Sequence, residues 1–190
     1  MCNFLSGLVL KNGTMIIDPE HTDSHEDLIE FRGLKDTDQF IRKFARFEFT
    51  PKSHKTIADV DSYTLKIDEY DIPDWCDEEM KDSLITKLKI RIERMIVTVD
   101  TSILLGGCWI LSGDVRVNNA KNARIVSMHG SSSVNYMYGS SSVNSMHDSS
   151  SVDSMHGSSS VNYMYDSSSV NSMHGSSSVV NDYRIKANEE

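Results

Sequence analysis

The chain has 190 residues, with 28 acidic and 19 basic side chains and a formal net charge of −9. An acidic balance of this size disfavours a protein that binds the phosphate backbone of nucleic acids. The apolar and charged fractions, 38% and 25%, are typical of a globular protein. No apolar run approaches the roughly 20 residues that a membrane-spanning helix needs, so we expect no membrane partner.

The first residues and the cysteines bear on the compartment. The start, MCNFLSGLVLKNG, has no basic region and no small-residue cleavage site, so we expect no export signal. The cysteines are odd in number and show no CxxC spacing, which indicates neither a disulfide framework nor a zinc site. They are Cys2, Cys76 and Cys108. The sequence therefore predicts a cytoplasmic protein with no cofactor and no metal site.

The predicted elements begin with a β-hairpin and a short helix. FLSGLVL and TMIIDP flank Lys11-Asn12-Gly13, and Asn-Gly is the strongest short hairpin signal. Ser24 and Asp27 resemble a capping box before LIEF, with Gly33 as the stop signal. The spacing predicts a helix that starts after Ser24.

Two strands and a longer helix follow. ARFEFTP and TLKIDEY alternate between apolar and polar residues, as half-buried strands do. From about Trp75 to Ile96, six apolar side chains fall within about 120° of arc, with Ile90 off the stripe, which predicts an amphipathic helix. The six are Leu84, Ile85, Leu88, Ile92, Met95 and Ile96. The segment ILLGGCWIL is expected to start the sheet on which the repeats stack.

A nine-residue repeat replaces the mixed sequence from Ile125 onward. Units with one apolar face must stack to bury it, so the repeat predicts a parallel β-solenoid with Val and Met inward and the Ser-Ser-Ser runs near the corners. A disordered serine-rich linker is the alternative, but a linker does not keep two apolar columns in phase. The columns are Ile125, Val134, Val143, Val152, Val161, Val170 and Val179, and Met128, Met137, Met146, Met155, Met164 and Met173.

The sequence leaves two coil lengths open. The pair Tyr136 and Tyr138 recurs 27 residues later, which favours three repeats per coil. A column of glycines spaced by 18 residues favours two repeats per coil, and it consists of Gly139, Gly157 and Gly175. We prefer this second interpretation. The shorter coil has a cost, because it places Asp148 and Asp166 at the strand spacing of about 4.8 Å.

The predicted architecture is an α+β domain at residues 1–112 that caps a C-terminal parallel β-solenoid, or β-helix, at residues 113–180. A charged tail at residues 181–190 is expected to close the other end. A repeat stack needs a cap at each end, because its terminal units would otherwise expose their apolar faces.

Two sets of residues are candidates for chemistry or binding. Cys2 follows the initiator Met and would make an N-terminal nucleophile with its own α-amine as base, assisted by His25, Glu26 or Asp27. The second set is a ladder of rings on the solenoid surface, because His and Tyr alternate at one repeat position. The expected binding residues are Tyr136, Tyr138, Tyr163, Tyr165, His147 and His156. The simpler alternative is that an outward position tolerates either ring.

The chain combines MC-x-F-x-S at its start, the NG hairpin, DPEHTDSHEDLI, GGCWIL and the SSSVxxM repeats. In this combination it resembles a family of uncharacterised phage and prophage proteins. The resemblance covers nearly the whole chain. In that family the leading domain is similar between members, while the repeats vary in number and type and include pentapeptide-like forms. The resemblance implies a phage-encoded accessory protein in the cytoplasm of the host cell, and it supplies no activity.

Two function classes follow from the residues and from this resemblance. The first is a binding or inhibitor protein that acts on a host or defence-system protein by surface contacts. The second is an enzyme with Cys2 as nucleophile, assisted by His25 and Asp27. The expected partners are a host or phage protein, or a second copy of the chain as a homo-oligomer.

Overall fold

The computed structural model describes residues 5–22, 24–34 and 43–184. The chain divides into two compact units, Met1–Glu93 and Arg94–Glu190. The first unit contains an antiparallel sheet and two helices, and the second is a parallel β-solenoid. Neither helix of the described residues is long and apolar enough to cross a membrane.

The first unit is built on a four-stranded sheet with the order β2-β1-β3-β4. Its strands are β1 (Leu5–Leu10), β2 (Met15–Ile16), β3 (Phe44–Pro51) and β4 (Tyr63–Ile67). Its helices are α1 (His25–Phe31) and α2 (Glu78–Glu93), with two short 3-10 turns at His54–Thr56 and Val60–Ser62. The predicted hairpin is confirmed, because Leu8 pairs with Ile16 across the turn and Asn12 Oδ1 accepts a hydrogen bond from the Thr14 amide at 3.0 Å.

Both helices are present, with different bounds for the longer one. Ser24 caps α1, and its Oγ accepts a hydrogen bond from the Asp27 amide at 3.3 Å. Helix α2 starts at Glu78 rather than about Trp75, because the Asp77 carboxylate accepts a hydrogen bond from the Met80 amide at 2.9 Å. It ends before Ile96, which already belongs to the first solenoid strand.

Two parallel sheets form the solenoid, which has about five turns. We call them the even sheet and the odd sheet. The even sheet contains β6 (Thr101–Leu105), β8 (Arg116–Lys121), β10 (Ser133–Tyr138), β12 (Ser151–Met155) and β14 (Ser169–Met173). The odd sheet contains β5 (Ile96–Val97), β7 (Cys108–Leu111), β9 (Arg124–Met128), β11 (Ser142–Met146), β13 (Ser160–Met164) and β15 (Ser178–Asp182). The predicted solenoid is confirmed.

Strand register settles the coil length. Val134 pairs with Val152, and Val143 pairs with Val161, so one coil contains two repeats and 18 residues. The 27-residue coil is wrong. The solenoid also starts at Ile96, upstream of the predicted position 113, because its first coils lack the repeat: Thr101 pairs with Val117 at a spacing of 16 and Val117 pairs with Val134 at a spacing of 17.

The apolar columns form one continuous core between the two sheets. The Val and Met side chains of the repeats are fully buried from Ile125 to Met164. The serines at the corners are buried as well, at Ser132, Ser141, Ser150, Ser159 and Ser168. Small side chains are needed here because successive coils approach each other closely. At Gly157, for example, an added Cβ would lie 3.1 Å from the Gly139 carbonyl oxygen.

Candidate binding surface

The first candidate site lies at the start of α1, and the structure gives His25 a structural position there. His25 is 4% exposed, and its Nε2 donates a hydrogen bond to the Phe47 carbonyl of β3 at 3.0 Å. The ring therefore fastens the helix to the sheet. The side chain of His25 is therefore buried against the sheet.

Glu26 and Asp27 form hydrogen bonds at the N-terminal end of α1. The Glu26 carboxylate accepts a hydrogen bond from Ser24 Oγ at 3.1 Å, and Asp27 Oδ2 accepts one from Thr22 Oγ1 at 2.7 Å. The pKa of Glu26 lies below its usual range, mainly because of a hydrogen bond from its own backbone amide and then because of the Ser24 hydroxyl. Negative charge in the first turn also suits the helix dipole. The three predicted residues do not converge on one point, and Cys2 lies outside the described residues.

A cleft of about 610 Å³ opens beside Asp27, lined by residues of the loop before α1 and of α1 itself. Two of its lining residues form a contact, because Asp18 Oδ1 lies 2.8 Å from His21 Nδ1. Phe31 is exposed at its edge. The lining residues are Asp18, His21, Thr22, Asp27, Leu28, Glu30 and Phe31. Three carboxylates beside one aromatic ring suit a cationic side chain of a partner.

The second candidate site is the set of stacked rings on the solenoid. Because the coil has 18 residues, the single His/Tyr column of the sequence separates into two ladders, one on each sheet. On the odd sheet His129, His147, Tyr165 and Tyr183 stack with centroid distances of 4.7, 4.8 and 5.5 Å. On the even sheet Tyr138, His156 and His174 stack at 5.2 and 4.8 Å.

The two ladders differ in exposure. On the odd sheet His129 and His147 are buried, so the predicted binding residue His147 is not accessible to a partner. On the even sheet Tyr136 is 42% exposed and Tyr138 is 36% exposed. Tyr136 and Tyr138 also contact each other, with a centroid distance of 6.1 Å. Apart from Tyr183 at the C-terminal coil, which is 58% exposed, the more accessible tyrosines therefore lie on the even sheet.

The other predicted tyrosines lie on the odd sheet near the C-terminal coil. Tyr163 and Tyr165 are half-buried and form a cluster with Tyr183, with centroid distances of 5.5 to 6.3 Å. Burial and the neighbouring Tyr183 and Tyr163 hydroxyls raise the pKa of Tyr165. The Tyr165 hydroxyl is therefore harder to ionise than that of a solvent-exposed tyrosine.

Serine hydroxyls hold the histidine rings in the ladders. Ser127 Oγ lies 2.6 Å from His129 Nε2, and Ser154 Oγ lies 2.9 Å from His156 Nε2. Asp148 Oδ2 lies 3.8 Å from His129 Nδ1, so Ser127, His129 and Asp148 follow the order of a hydrolase triad. Ser127 and His129 are both buried, however, and 3.8 Å is too long for a hydrogen bond. We interpret the arrangement as support for the ring stack.

Asparagine ladders run beside the rings, and the sequence analysis did not single them out. Asn135 Nδ2 donates a hydrogen bond to Asn118 Oδ1 at 3.0 Å, and Asn171 Nδ2 donates one to Asp153 Oδ1 at 2.9 Å. On the odd sheet Asn162 donates to Asn144 at 3.3 Å. The sequence does contain a signal for these ladders, because the residue after the repeat valine is Asn or Asp in most units.

Charge is sparse on the repeats. Residues 125–179 contain three acidic side chains, Asp148, Asp153 and Asp166, and no Lys or Arg. Among the residues that the structure describes, no group of three or more His, Cys, Asp or Glu could hold a metal ion.

Comparisons with protein-family models, with curated proteins and with solved structures find no match to this chain.

Proposed function

We propose that this chain is a binding or inhibitor protein that contacts a host or defence-system protein through the even sheet of its solenoid. The observation that carries the proposal is the exposed pair Tyr136 and Tyr138 on strand β10, which lies between Lys121 of β8 and strand β12, whose one charged side chain is Asp153. Tyrosines are enriched in the parts of protein interfaces that contribute most to affinity, because they bury a large area with few rotatable bonds. Charged residues are depleted there.

The stacking of the rings adds to this argument. Tyr138 is held against His156, whose own ring is bound by Ser154. A side chain that is already fixed in the free protein loses little conformational entropy when a partner binds. The even sheet is thus a preorganised surface, which favours binding over a role as a spacer.

The first unit supplies a second contact in this proposal. The acidic cleft beside Asp27 would accept a Lys or Arg side chain of the partner, with Phe31 against its aliphatic stem. The phage origin that the resemblance implies accounts for a host or defence-system protein as the partner. The enzyme version has less support, because His25 is committed to the Phe47 carbonyl.

The test is affinity capture of the tagged chain from infected host cells, followed by reconstitution with the purified partner. The repeat itself provides conservative variants, because the columns of Tyr136 and Tyr138 contain Ser154 and His156 one coil later. The double variant Tyr136→Ser with Tyr138→His should weaken binding by about thirtyfold, the loss of a typical hot spot of about 2 kcal/mol.

The matched control lies on the odd sheet. Tyr163→Ser with Tyr165→His makes the same two changes, again with residues that the columns already contain. It should change the affinity by less than about threefold. An odd-sheet effect equal to the even-sheet effect would contradict the proposed surface. Turnover of a substrate with no retained partner would contradict the binding function itself.

A further inference from the structure

The tip of the first hairpin contains the one Asn-Gly pair of the sequence, Asn12 and Gly13. Asn12 is exposed, and Gly13 has a left-handed backbone with φ of 76°. In an Asn-Gly pair the asparagine side chain cyclises more readily on the next backbone nitrogen than in other pairs, because glycine has no Cβ that would obstruct the approach. The hairpin therefore presents a reactive pair at the surface of the first unit.

Both reacting groups are engaged in hydrogen bonds while the turn is closed. The Gly13 amide, whose nitrogen would be the nucleophile, donates a hydrogen bond to the Leu10 carbonyl at 2.8 Å. Asn12 Oδ1, the oxygen of the carbonyl that would be attacked, accepts one from the Thr14 amide at 3.0 Å. An amide proton that is already donated is harder to remove, and the Asn12 side chain is turned towards Thr14. Cyclisation therefore requires the turn to open.

A lysine of helix α2 contacts the closed turn. Lys87 Nζ donates a hydrogen bond to the Gly13 carbonyl at 3.0 Å, between residues that are 74 positions apart in the sequence. Both residues belong to the first unit. Local opening of a surface turn requires less free energy than global unfolding. A hydrogen bond that exists only in the closed turn therefore lowers the population of the open, reactive turn.

From these contacts we infer that Asn12 is a site of spontaneous covalent modification, and that opening of the hairpin tip, which Lys87 opposes, sets its rate. In the open turn the Gly13 nitrogen loses its proton to solvent and forms a bond to Cγ of Asn12. The bond from Cγ to the side-chain nitrogen breaks, and this nitrogen takes a proton from solvent and leaves as ammonia. The product is a succinimide ring. Water then opens the ring at Cγ, which gives aspartate, or at the main-chain carbonyl carbon, which gives isoaspartate.

The two products have different effects on the hairpin. Aspartate keeps an oxygen acceptor for the Thr14 amide and adds a negative charge to the turn that Lys87 contacts. Isoaspartate lengthens the main chain by one carbon atom, so it disturbs the register in which Leu8 pairs with Ile16. Leu8 and Ile16 are members of a buried apolar cluster of the first unit. Isoaspartate at position 12 should therefore loosen this core.

The test is incubation of the full chain at mildly alkaline pH, either folded or in guanidinium chloride, with peptide mass spectrometry of each asparagine. We expect Asn12 to react first, and at least about tenfold more slowly in the folded chain than in the denatured chain. Asn144, which precedes Ser145 inside β11, is the internal control and should stay intact in the folded chain over the same period. Faster reaction of Asn144 than of Asn12 would overturn the site, and equal rates at Asn12 in the two conditions would overturn the control by the turn.

Matched variants of α2 test the contact of Lys87. Lys87→Met removes the donor to Gly13 and should raise the rate at Asn12 in the folded chain by about threefold, the contribution of one weak hydrogen bond. Lys87→Arg keeps a donor and should restore the parent rate. Lys89→Met removes the lysine that contacts Asp61 at 2.6 Å and should leave the rate unchanged. All three should match the parent in guanidinium chloride, and a rate of Lys87→Met equal to that of the parent in the folded chain would overturn the role of Lys87.

Discussion

Asp166 Oδ2 accepts a hydrogen bond from the backbone amide of Asp148, one coil earlier, at 3.1 Å. Asp148 in turn accepts one from the Gly130 amide at 3.0 Å. Asp148 and Asp166 both have left-handed backbones, with φ of 56° and 55°, a conformation that Asp, Asn and Gly adopt most readily. The neighbouring carboxylates are thus compatible with an 18-residue coil, because each has an amide donor of its own.

The first prediction follows from this contact. Asp166→Asn keeps an oxygen acceptor and a side chain that tolerates the left-handed backbone, and it removes a like charge, so the free energy of unfolding should change by less than about 0.5 kcal/mol. Asp166→Ala loses the acceptor and strains the backbone, so it should cost about 1–2 kcal/mol. Urea unfolding of both variants measures the difference. Equal effects of the two substitutions would show that the hydrogen bond contributes nothing.

The second prediction concerns the core. Val152 is fully buried between the sheets, so Val152→Asp would place an unpaired carboxylate there and should cost several kcal/mol. Limited proteolysis should then cleave the repeats. Asp153→Asn, at the neighbouring exposed position, is the control and should leave the digestion pattern unchanged. Unchanged protease resistance of Val152→Asp would contradict a packed solenoid.

The third prediction separates two buried serines of the same repeat position. Ser141 Oγ lies 2.8 Å from the Tyr138 carbonyl oxygen and 3.0 Å from the Ala120 carbonyl oxygen, so its single hydroxyl proton has an acceptor. Ser150 Oγ has no hydrogen-bond partner among the described residues. Ser141→Ala should therefore cost about 1 kcal/mol, whereas Ser150→Ala should be neutral or stabilising. Thermal unfolding of the two variants decides it, and a larger loss for Ser150→Ala would be the contrary result.

The fourth prediction concerns coil deletions, read out by disulfide trapping between Tyr136→Cys and Tyr163→Cys. These positions lie on different sheets in the full chain, so no disulfide should form. Removal of Val143 to Ser151 shifts every later repeat to the other sheet. Residue 163 then lies beside residue 136, at the strand spacing of about 4.8 Å, which a disulfide can span.

Removal of Val143 to Ser160, a whole coil, should keep the two cysteines apart and preserve the fold, because the stability of stacked units is nearly additive. Tyr136→Cys with Ser154→Cys in the full chain is the positive control, since these residues pair between β10 and β12. A disulfide between positions 136 and 163 in the undeleted chain would restore the 27-residue coil.

The fifth prediction concerns the thiols. Cys76 and Cys108 are buried, and burial is the main cause that raises the pKa of Cys76. A raised pKa lowers the thiolate fraction, so Cys76 should react slowly with iodoacetamide in the folded protein and should gain reactivity only at higher pH or on unfolding. An N-terminal nucleophile at Cys2 should react faster than either. Mass spectrometry of the labelled chain measures all three, and a retained Met1 would remove the enzyme hypothesis in its present form.

Periodicity made the repeats the most predictable part of the chain. A fixed spacing of Val134, Val143 and Val152 encodes both the strand and its inward face. The first coils carry no such signal, because their spacings of 16 and 17 break the columns before Ile125. The coil length was ambiguous in the sequence because the tyrosine pairs recur every 27 residues while the backbone repeats every 18.

The candidate site was harder to predict. Its residues were recognisable by type, but a repeat position does not specify how much of a ring its neighbours cover, and His147 is buried where Tyr138 is exposed. The position of His25 depends on a carbonyl of Phe47, which lies 22 residues later on another strand. Contacts of this kind arise from tertiary packing, which local patterns do not encode.

The two-repeat coil has a consequence for how the solenoid surface can vary. Repeats that are adjacent in sequence lie on different sheets, so Tyr136 and Tyr163, three repeats apart, belong to separate surfaces. The repeats thus alternate along the chain between two independent surfaces, one on the odd sheet and one on the even sheet. Duplication of a single repeat would move every later repeat to the other sheet. Duplication of two adjacent repeats would lengthen both sheets and keep every later repeat on its own sheet.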